Sequence, residues 1–151
     1  MNHDDERSAG GPPRRVKVLM VEDEGLIVDL VVDVLSEYGF DVRAFMTAAE
    51  ALACLEAGSD VDVLFTDINL PGAMDGVELA QRARVLRPEL PVVYASGRHS
   101  PATAQPLVAH SLFLRKPYRM QDICTVLDRL TVHHANGLPA GRRSGAPRLS
   151  A

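Results

Sequence analysis

The sequence has few of the features that mark secreted proteins, membrane proteins or proteins that bind a metal through clustered cysteines. It contains two cysteines, Cys54 and Cys124, far apart and each inside an apolar helical pattern, which excludes a disulfide framework or metal-ligand spacing. No apolar run precedes Val16, which argues against a signal peptide. No apolar stretch approaches the roughly 20 residues of a membrane span. These absences predict a cytoplasmic protein without a membrane segment, whose thiols are buried in a reducing compartment.

Excess positive charge is also missing from the central part of the chain. Residues 16–132 carry 17 acidic and 10 basic residues, a net charge of −7, whereas residues 133–151 carry +3. A nucleic-acid-binding domain normally presents a basic face, so the sequence predicts no direct nucleic-acid binding. The length of 151 residues suits one domain, and the 46% content of apolar residues is enough for a core.

The two ends of the chain differ in composition from its middle. Residues 1–14 are polar and include a Gly-Gly-Pro-Pro run, which predicts a flexible N-terminal arm. Residues 133–151 hold Gly, Pro, Ala, Ser and Arg without periodicity, which predicts a disordered tail. We therefore expect the folded domain to span residues 15–132.

Within that span, short β-rich runs alternate with apolar residues at helical spacing. The predicted strands cover residues 16–21, 41–45, 61–65, 91–95 and 111–114. The predicted helices cover residues 26–38, 48–57, 76–87 and 120–132. Pro101 and Pro106 predict an irregular or shortened helix between the fourth and fifth strands. The alternation predicts an α/β fold, in which a parallel sheet has helices on both faces.

Polar side chains cluster where four of the predicted strands end. Glu22 and Asp23 follow the first strand, Asp67 the third, Ser96 the fourth and Lys116 the fifth. In an open α/β sheet, ligands bind at these carboxyl ends. Carboxylates brought together there repel one another unless a pKa rises or a cation binds, and Mg²⁺ accepts both carboxylates and phosphate oxygens. A carboxylate nucleophile, a metal, a lysine and a hydroxyl together suit phosphoryl transfer onto aspartate.

Four segments resemble the receiver domain of response regulators in two-component signalling. They are VLMVEDE (18–24), VLFTDINLPGAMDGVELA (63–80), VVYASG (92–97) and LFLRKPY (112–118). In this order they are similar to the family's first strand with its acidic pair, its phosphoacceptor strand and loop, and the ends of its fourth and fifth strands. The resemblance covers roughly residues 15–131. It implies a flavodoxin-like, doubly wound sheet of five strands in the order 2-1-3-4-5. The 19 residues after Val132 are too few to fold as an output domain, so we expect a stand-alone receiver.

The resemblance also implies a phosphorylation site and its metal. Asp67 would be the phosphoacceptor, and Lys116 would pair with a phosphate oxygen. The metal, Mg²⁺ or Mn²⁺, would be bound by Glu22, Asp23, Asp67 and the backbone carbonyl of Asn69. Glu22 stands where the family more commonly has aspartate, which keeps the charge and lengthens the reach.

Two further residues are implied as parts of a conformational switch. Ser96 would supply the switch hydroxyl, at a position where threonine is more common, and Phe113 would be the switch aromatic. The Lys116–Pro117 peptide bond would be cis, as it usually is in the family.

The partners implied by the resemblance are proteins of the same pathways. The phosphoryl donor would be a histidine kinase or a histidine phosphotransfer protein. The output would be docking to a downstream protein, or service as a phosphate sink or relay, and homodimer formation stays open. Such a chain is not an enzyme in the ordinary sense, although it would catalyse its own phosphorylation and dephosphorylation.

Two other functions stay open at this point. A magnesium-dependent hydrolase of small phosphoesters also uses an aspartate nucleophile, but such enzymes often place a second acid two residues later, where this chain has Asn69. A non-phosphorylated interaction module would keep the fold without needing the complete residue set. Taken singly, Asp67 and Ser96 could be ordinary turn or strand-end residues, and Phe113 could belong to the core.

Overall fold

A computed structural model of the chain describes residues 14–97 and 107–135. Five parallel strands form one sheet in the order β2-β1-β3-β4-β5. The strands are β1 (Lys17–Val21), β2 (Asp41–Phe45), β3 (Val63–Asp67), β4 (Val92–Ser96) and β5 (Ser111–Arg115). The helices in the described residues are α1 (Gly25–Glu37), α2 (Ala48–Glu56), α3 (Gly76–Leu86) and α4 (Met120–Ala135). The predicted doubly wound, flavodoxin-like sheet is therefore confirmed.

The central strands are buried on both faces because each face of the sheet is covered by helices. Alternate side chains of β1, β3 and β4 point to opposite faces, and they divide the core into two clusters. One cluster joins the sheet to α2 and α3, through residues such as Leu64 and Tyr94. The other joins it to α1 and α4, through residues such as Phe65 and Leu127. No helix in these described segments is long and apolar enough to cross a bilayer.

Local sequence signals set the ends of several helices. The Thr47 side chain accepts a hydrogen bond from the backbone N–H of Glu50, which caps the N-terminus of α2 as its capping-box pattern predicts. Asp75 caps α3 in the same way through the N–H of Glu78 at 2.9 Å. Gly39 follows α1 in a left-handed conformation, with φ of 99°, which a residue with a Cβ adopts only with strain.

Some element bounds differ from those predicted by sequence pattern. Strand β3 begins two residues later than predicted and ends at Asp67, and β4 ends one residue later at Ser96. Both strands are buried throughout, and a continuous apolar run does not mark where a strand begins. Helix α4 runs three residues past Val132, its predicted end.

Three expectations fall partly or wholly outside the part of the chain that the structure describes. The irregular helix expected around residues 100–110 lies mostly in 98–106, which is not described. The described residues just after that gap, 107–110, are not helical. The expected N-terminal arm lies outside the described residues up to residue 13, and the expected tail lies outside them from residue 136.

Candidate functional site

The carboxyl ends of β1 and β3 bring two acidic side chains together. Glu22 follows β1 directly and Asp67 ends β3, and these two strands are neighbours in the sheet. Both side chains are almost completely buried, with Glu22 2% exposed and Asp67 7% exposed. Burial of a carboxylate is costly unless it is paired or bound to a cation. These two residues therefore require a positive partner at this edge of the sheet.

Lys116 supplies a positive charge to both carboxylates. Its Nζ atom donates to Glu22 Oε1 at 2.9 Å and to Asp67 Oδ2 at 3.1 Å. Lys116 comes directly after β5, and its backbone N–H donates to the carbonyl of Ser96 at the end of β4 at 2.9 Å. The following Lys116–Pro117 peptide bond is cis, as the resemblance implied. One lysine therefore joins residues that are 94 and 49 positions away in sequence.

The pKa values of these groups show how far the pairing offsets their burial. Burial raises the pKa of Glu22, and the hydrogen bond from Lys116 opposes this only in part. Burial likewise raises the pKa of Asp67, with Lys116 and the backbone N–H of Asn69 opposing it. The pKa of Lys116 is raised, because both carboxylates outweigh the opposite effect of its burial. When both carboxylates are ionised, Lys116 therefore compensates their burial only in part, and a further cation would be bound favourably.

A third carboxylate completes an acidic cluster that could bind a cation. Asp23 is exposed, and one oxygen atom from each of Glu22, Asp23 and Asp67 lies within 4.8 Å of the others. Clustered carboxylate oxygens are the ligands that Mg²⁺ prefers. Two buried acids with raised pKa values and one acid open to solvent fit a hard divalent ion that keeps part of its water shell.

The other predicted site residues lie beside this cluster. Ser96 is 2% exposed, and the side-chain amide of Asn69 lies 3.5 Å from its Oγ atom. The backbone of Asn69 also donates a hydrogen bond toward Asp67. The sheet edge therefore brings Asn69 and Ser96 to the same place as the carboxylates.

Phe113 lies three residues before Lys116 in the chain. It is on the edge strand β5 opposite Tyr94, and 37% of its surface is exposed. The alternative that Phe113 is an ordinary core residue is therefore wrong. The exposure leaves its expected role in a switch as a prediction.

Two residues that shape the site carried no chemical signal in the sequence. Gly76, the first residue of α3, lies so close to the backbone carbonyl of Asp67 that a Cβ atom there would overlap it. Its N–H donates to the carbonyl of Ile68 at 2.9 Å, which pins the loop after Asp67. An Asp-Gly pair favours a turn or a helix cap, which gives no indication of this close approach. The second residue, Tyr118, follows Lys116 by two positions and packs on Phe65.

Comparison with known proteins agrees with the fold. Residues 18–128 match the model of the response regulator receiver domain family. The chain therefore belongs to the response regulator receiver family. The crystal structure of a response regulator receiver protein from Sinorhizobium medicae WSM419 is similar, with a TM-score of 0.73 and 31% sequence identity. The matched region covers 77% of this chain and 94% of that structure.

Curated relatives include both a long and a short protein. The sensor kinase CckA of Brucella abortus (strain 2308) is 31% identical over 116 residues, which are 75% of this chain and 12% of CckA. The response regulator receiver protein CpdR of the same organism is 28% identical over 120 residues, which are 77% of this chain and 97% of CpdR. The matched region therefore spans about an eighth of the kinase and nearly all of the short receiver protein.

Proposed function

We propose that the chain is a phosphorylatable receiver that accepts a phosphoryl group on Asp67. The observation that carries the proposal is the contact of Lys116 Nζ with both Glu22 and Asp67 at 2.9 and 3.1 Å. A cation held beside a buried carboxylate is ready to pair with the oxygens of an arriving phosphoryl group. Membership of the family adds the expectation that such a group comes from a histidine kinase or a histidine phosphotransfer protein.

In the proposed reaction, a carboxylate oxygen of Asp67 attacks the phosphorus atom of a phosphohistidine in line with the leaving nitrogen. The P–O bond forms as the P–N bond breaks, and the imidazole leaves with the bonding electron pair and takes up a proton. Lys116 pairs with a phosphoryl oxygen. Mg²⁺ or Mn²⁺, held by Glu22, Asp23, Asp67 and the backbone carbonyl of Asn69, would neutralise the charge of the phosphoryl oxygens.

The proposed output is a shift in the population of a surface that docks to another protein. The Ser96 hydroxyl lies at the site and would follow the phosphoryl group, and Phe113 would repack on the β5 edge. Docking to a downstream protein, or service as a phosphate sink or relay, would then be the function of the chain. We place it in the cytoplasm, where the buried free thiols of Cys54 and Cys124 stay reduced.

The test is phosphorylation by acetyl phosphate, read on a phosphate-affinity gel with and without Mg²⁺. We expect a magnesium-dependent mobility shift in the wild type and none in Asp67→Asn. The matched control is Asp60→Asn, which makes the same chemical change at an exposed residue, with 66% of its side chain accessible. Equal phosphate uptake by Asp67→Asn and the wild type would refute the assignment of Asp67.

A further inference from the structure

Lys116 has a long and flexible side chain and lies in the short connection between β5 and α4. A lysine carries its ammonium group on a flexible four-carbon stem, so the ammonium group holds one position only when the surrounding structure restrains it. On one side of Lys116, its backbone N–H is bonded to the Ser96 carbonyl. On the other side, three residues lead from Lys116 to Met120, the first residue of α4. Tyr118 lies in the middle of that connection.

The ring of Tyr118 packs against the strand that carries Asp67. Its centroid lies 6.1 Å from that of Phe65, with a tilt of 54° between the rings, an ordinary geometry for an attractive aromatic pair. Phe65 is 2% exposed and precedes Asp67 by two residues in β3, so the two side chains share one face of the sheet. One aromatic contact therefore links the loop of Lys116 to the strand of Asp67, directly beside the acidic cluster.

The charges of the site act on the phenol group of Tyr118. Burial raises its pKa to about 12, with Lys116 lowering it and the carboxylates of Glu22, Asp67 and Glu24 raising it further. The side chain is thus neutral at physiological pH and does not compete with the carboxylates for a cation.

We propose that Tyr118 is a positioning residue for Lys116 and that it acts through its ring rather than through its hydroxyl. By holding the connection after β5 against Phe65, the ring keeps the ammonium group between Glu22 and Asp67. The inference rests on the proposed role of Lys116 in phosphorylation. It predicts that the rate of phosphorylation depends on the aromatic ring at position 118. Tyr118→Phe keeps the ring, whereas Tyr118→Leu and Tyr118→Ala remove it.

The first experiment measures the position of the ammonium group without any phosphorylation. The chain has two lysines, Lys17 and Lys116, so the rate of acylation by an N-hydroxysuccinimide ester can be measured at each by mass spectrometry. Lys17 serves as the internal reference, with 34% of its side chain exposed against 19% for Lys116. We expect the Lys116/Lys17 rate ratio to rise about threefold or more in Tyr118→Ala and Tyr118→Leu, as local protection is lost. The ratio should stay unchanged in Tyr118→Phe.

The second experiment is a double-mutant cycle on the rate of phosphorylation by acetyl phosphate. We expect Tyr118→Ala to lower the rate about tenfold or more, since small misplacements of a catalytic group are costly. The same change should have no effect in a Lys116→Gln background if Tyr118 acts through the lysine. Tyr38→Ala is the matched control, because Tyr38 is 62% exposed at the far end of α1.

Three outcomes would overturn the proposal. The first is an equal loss of phosphorylation rate in Tyr118→Phe and Tyr118→Ala. The second is an unchanged Lys116/Lys17 acylation ratio in both Tyr118→Leu and Tyr118→Ala. The third is that changes at Tyr118 and Lys116 have independent effects in the double-mutant cycle. Tyr118→Leu keeps most of the apolar volume and serves as the ring-deletion variant should Tyr118→Ala unfold. If the wild type accepted no phosphate, the proposed function would fail, while the acylation ratio would still decide whether Tyr118 positions Lys116.

Discussion

At the scale of single residues, two nearly buried carboxylates share one ammonium group. Glu22 and Asp67 both keep raised pKa values despite their hydrogen bonds to Lys116, which means that burial outweighs the pairing. The folded state therefore carries an electrostatic cost when both acids are ionised, and a cation in the acidic cluster would relieve it. In the proposed function, such a cost would be kept at the expense of stability because it favours the binding of a phosphoryl group with its metal.

This cost predicts how the stability of the metal-free protein depends on pH. The ordinary pKa values are 4.5 for Glu22 and 3.8 for Asp67, and the folded values are higher. Between the ordinary and the raised values, the folded state holds more protons than the unfolded state, so this contribution to the free energy of unfolding falls as pH rises. A tenfold difference in the proton affinity of one carboxylate between the two states corresponds to about 1.4 kcal/mol.

The Asp67→Asn variant isolates the contribution of one acid. Its free energy of unfolding, relative to the wild type in a chelating buffer, should increase as pH rises above 3.8 and level off above the folded pKa. Urea melts at several pH values measure this difference, and Asp60→Asn provides the baseline for losing a surface carboxylate. A difference that does not change with pH would show that Asp67 is not destabilised by its burial.

The charged residues of the site were predictable from the sequence, whereas the close approach of Gly76 and the packing of Tyr118 on Phe65 were not. Asp67 ends a strand, and Glu22 and Lys116 each directly follow one. The topology of a parallel sheet brings strand ends together whatever lies between them. Tyr118 and Phe65 meet through the packing of a loop on a strand, which depends on three-dimensional positions that no spacing in the chain encodes. Phe113 was correctly placed on β5, and only the structure shows that it is 37% exposed.

At the scale of elements, the start of helix α3 is fitted against the end of strand β3. A Cβ at Gly76 would overlap the Asp67 carbonyl, which also accepts a hydrogen bond from the Thr66 hydroxyl at 2.9 Å. We therefore expect Gly76→Ala to lower the free energy of unfolding by about 1–3 kcal/mol, as in other overpacked sites. It should also slow phosphorylation, because the overlap pushes on the backbone of Asp67.

Gly25→Ala is the matched control for this prediction. Gly25 also begins a helix, α1, and a Cβ there has no neighbour within 4 Å. The change should be neutral or stabilise the protein by up to about 1 kcal/mol, because alanine has less freedom in the unfolded chain. Thermal melts and phosphorylation rates of both variants provide the comparison. Equal stability of the two variants would contradict the close approach at Gly76.

Element types were more predictable than element bounds. Helix starts at Ala48 and Gly76 follow from the capping residues Thr47 and Asp75, whose side chains act within one turn. The predicted start of β3 was two residues too early because the β-rich pattern included Val61 and Asp62. The Asp62 side chain accepts hydrogen bonds from the backbone N–H of Lys17 at 2.8 Å and from the guanidinium of Arg14. Such long-range partners are invisible to a local pattern.

At the scale of the whole molecule, the strand order explains why one end of the sheet carries the chemistry. The chain runs outward from β1 to β2 and then returns across β1 to β3, so the loops after β1 and β3 lead away from each other. The gap between diverging connections is where ligands bind in open α/β sheets. The order follows from the resemblance to the receiver family, since alternating strands and helices alone do not choose among orders.

The domain bounds give a last prediction. We expect a chain trimmed to residues 14–135 to melt within about 2 °C of the full chain and to accept phosphate equally, because the removed ends should add little stability. Removing Arg14 as well would break its bidentate contact with Asp62 at 3.0 and 3.1 Å. Since 54% of the Arg14 side chain is exposed, screening limits that loss to about 0.2–1 kcal/mol.

A cut inside α4 provides the contrast that makes the trimming informative. Ending the chain at residue 126 would delete Leu127, which is fully buried in the cluster between the sheet and α4. Loss of one such side chain costs about 2–5 kcal/mol, and the lost helical turns add to that. Differential scanning calorimetry should therefore show a small change in Tm for the chain 14–135 and a modest decrease when Arg14 is also removed. The chain that ends at residue 126 should lose most of its stability. A large loss of stability on trimming to 14–135 would mean that the ends contribute to the folded domain.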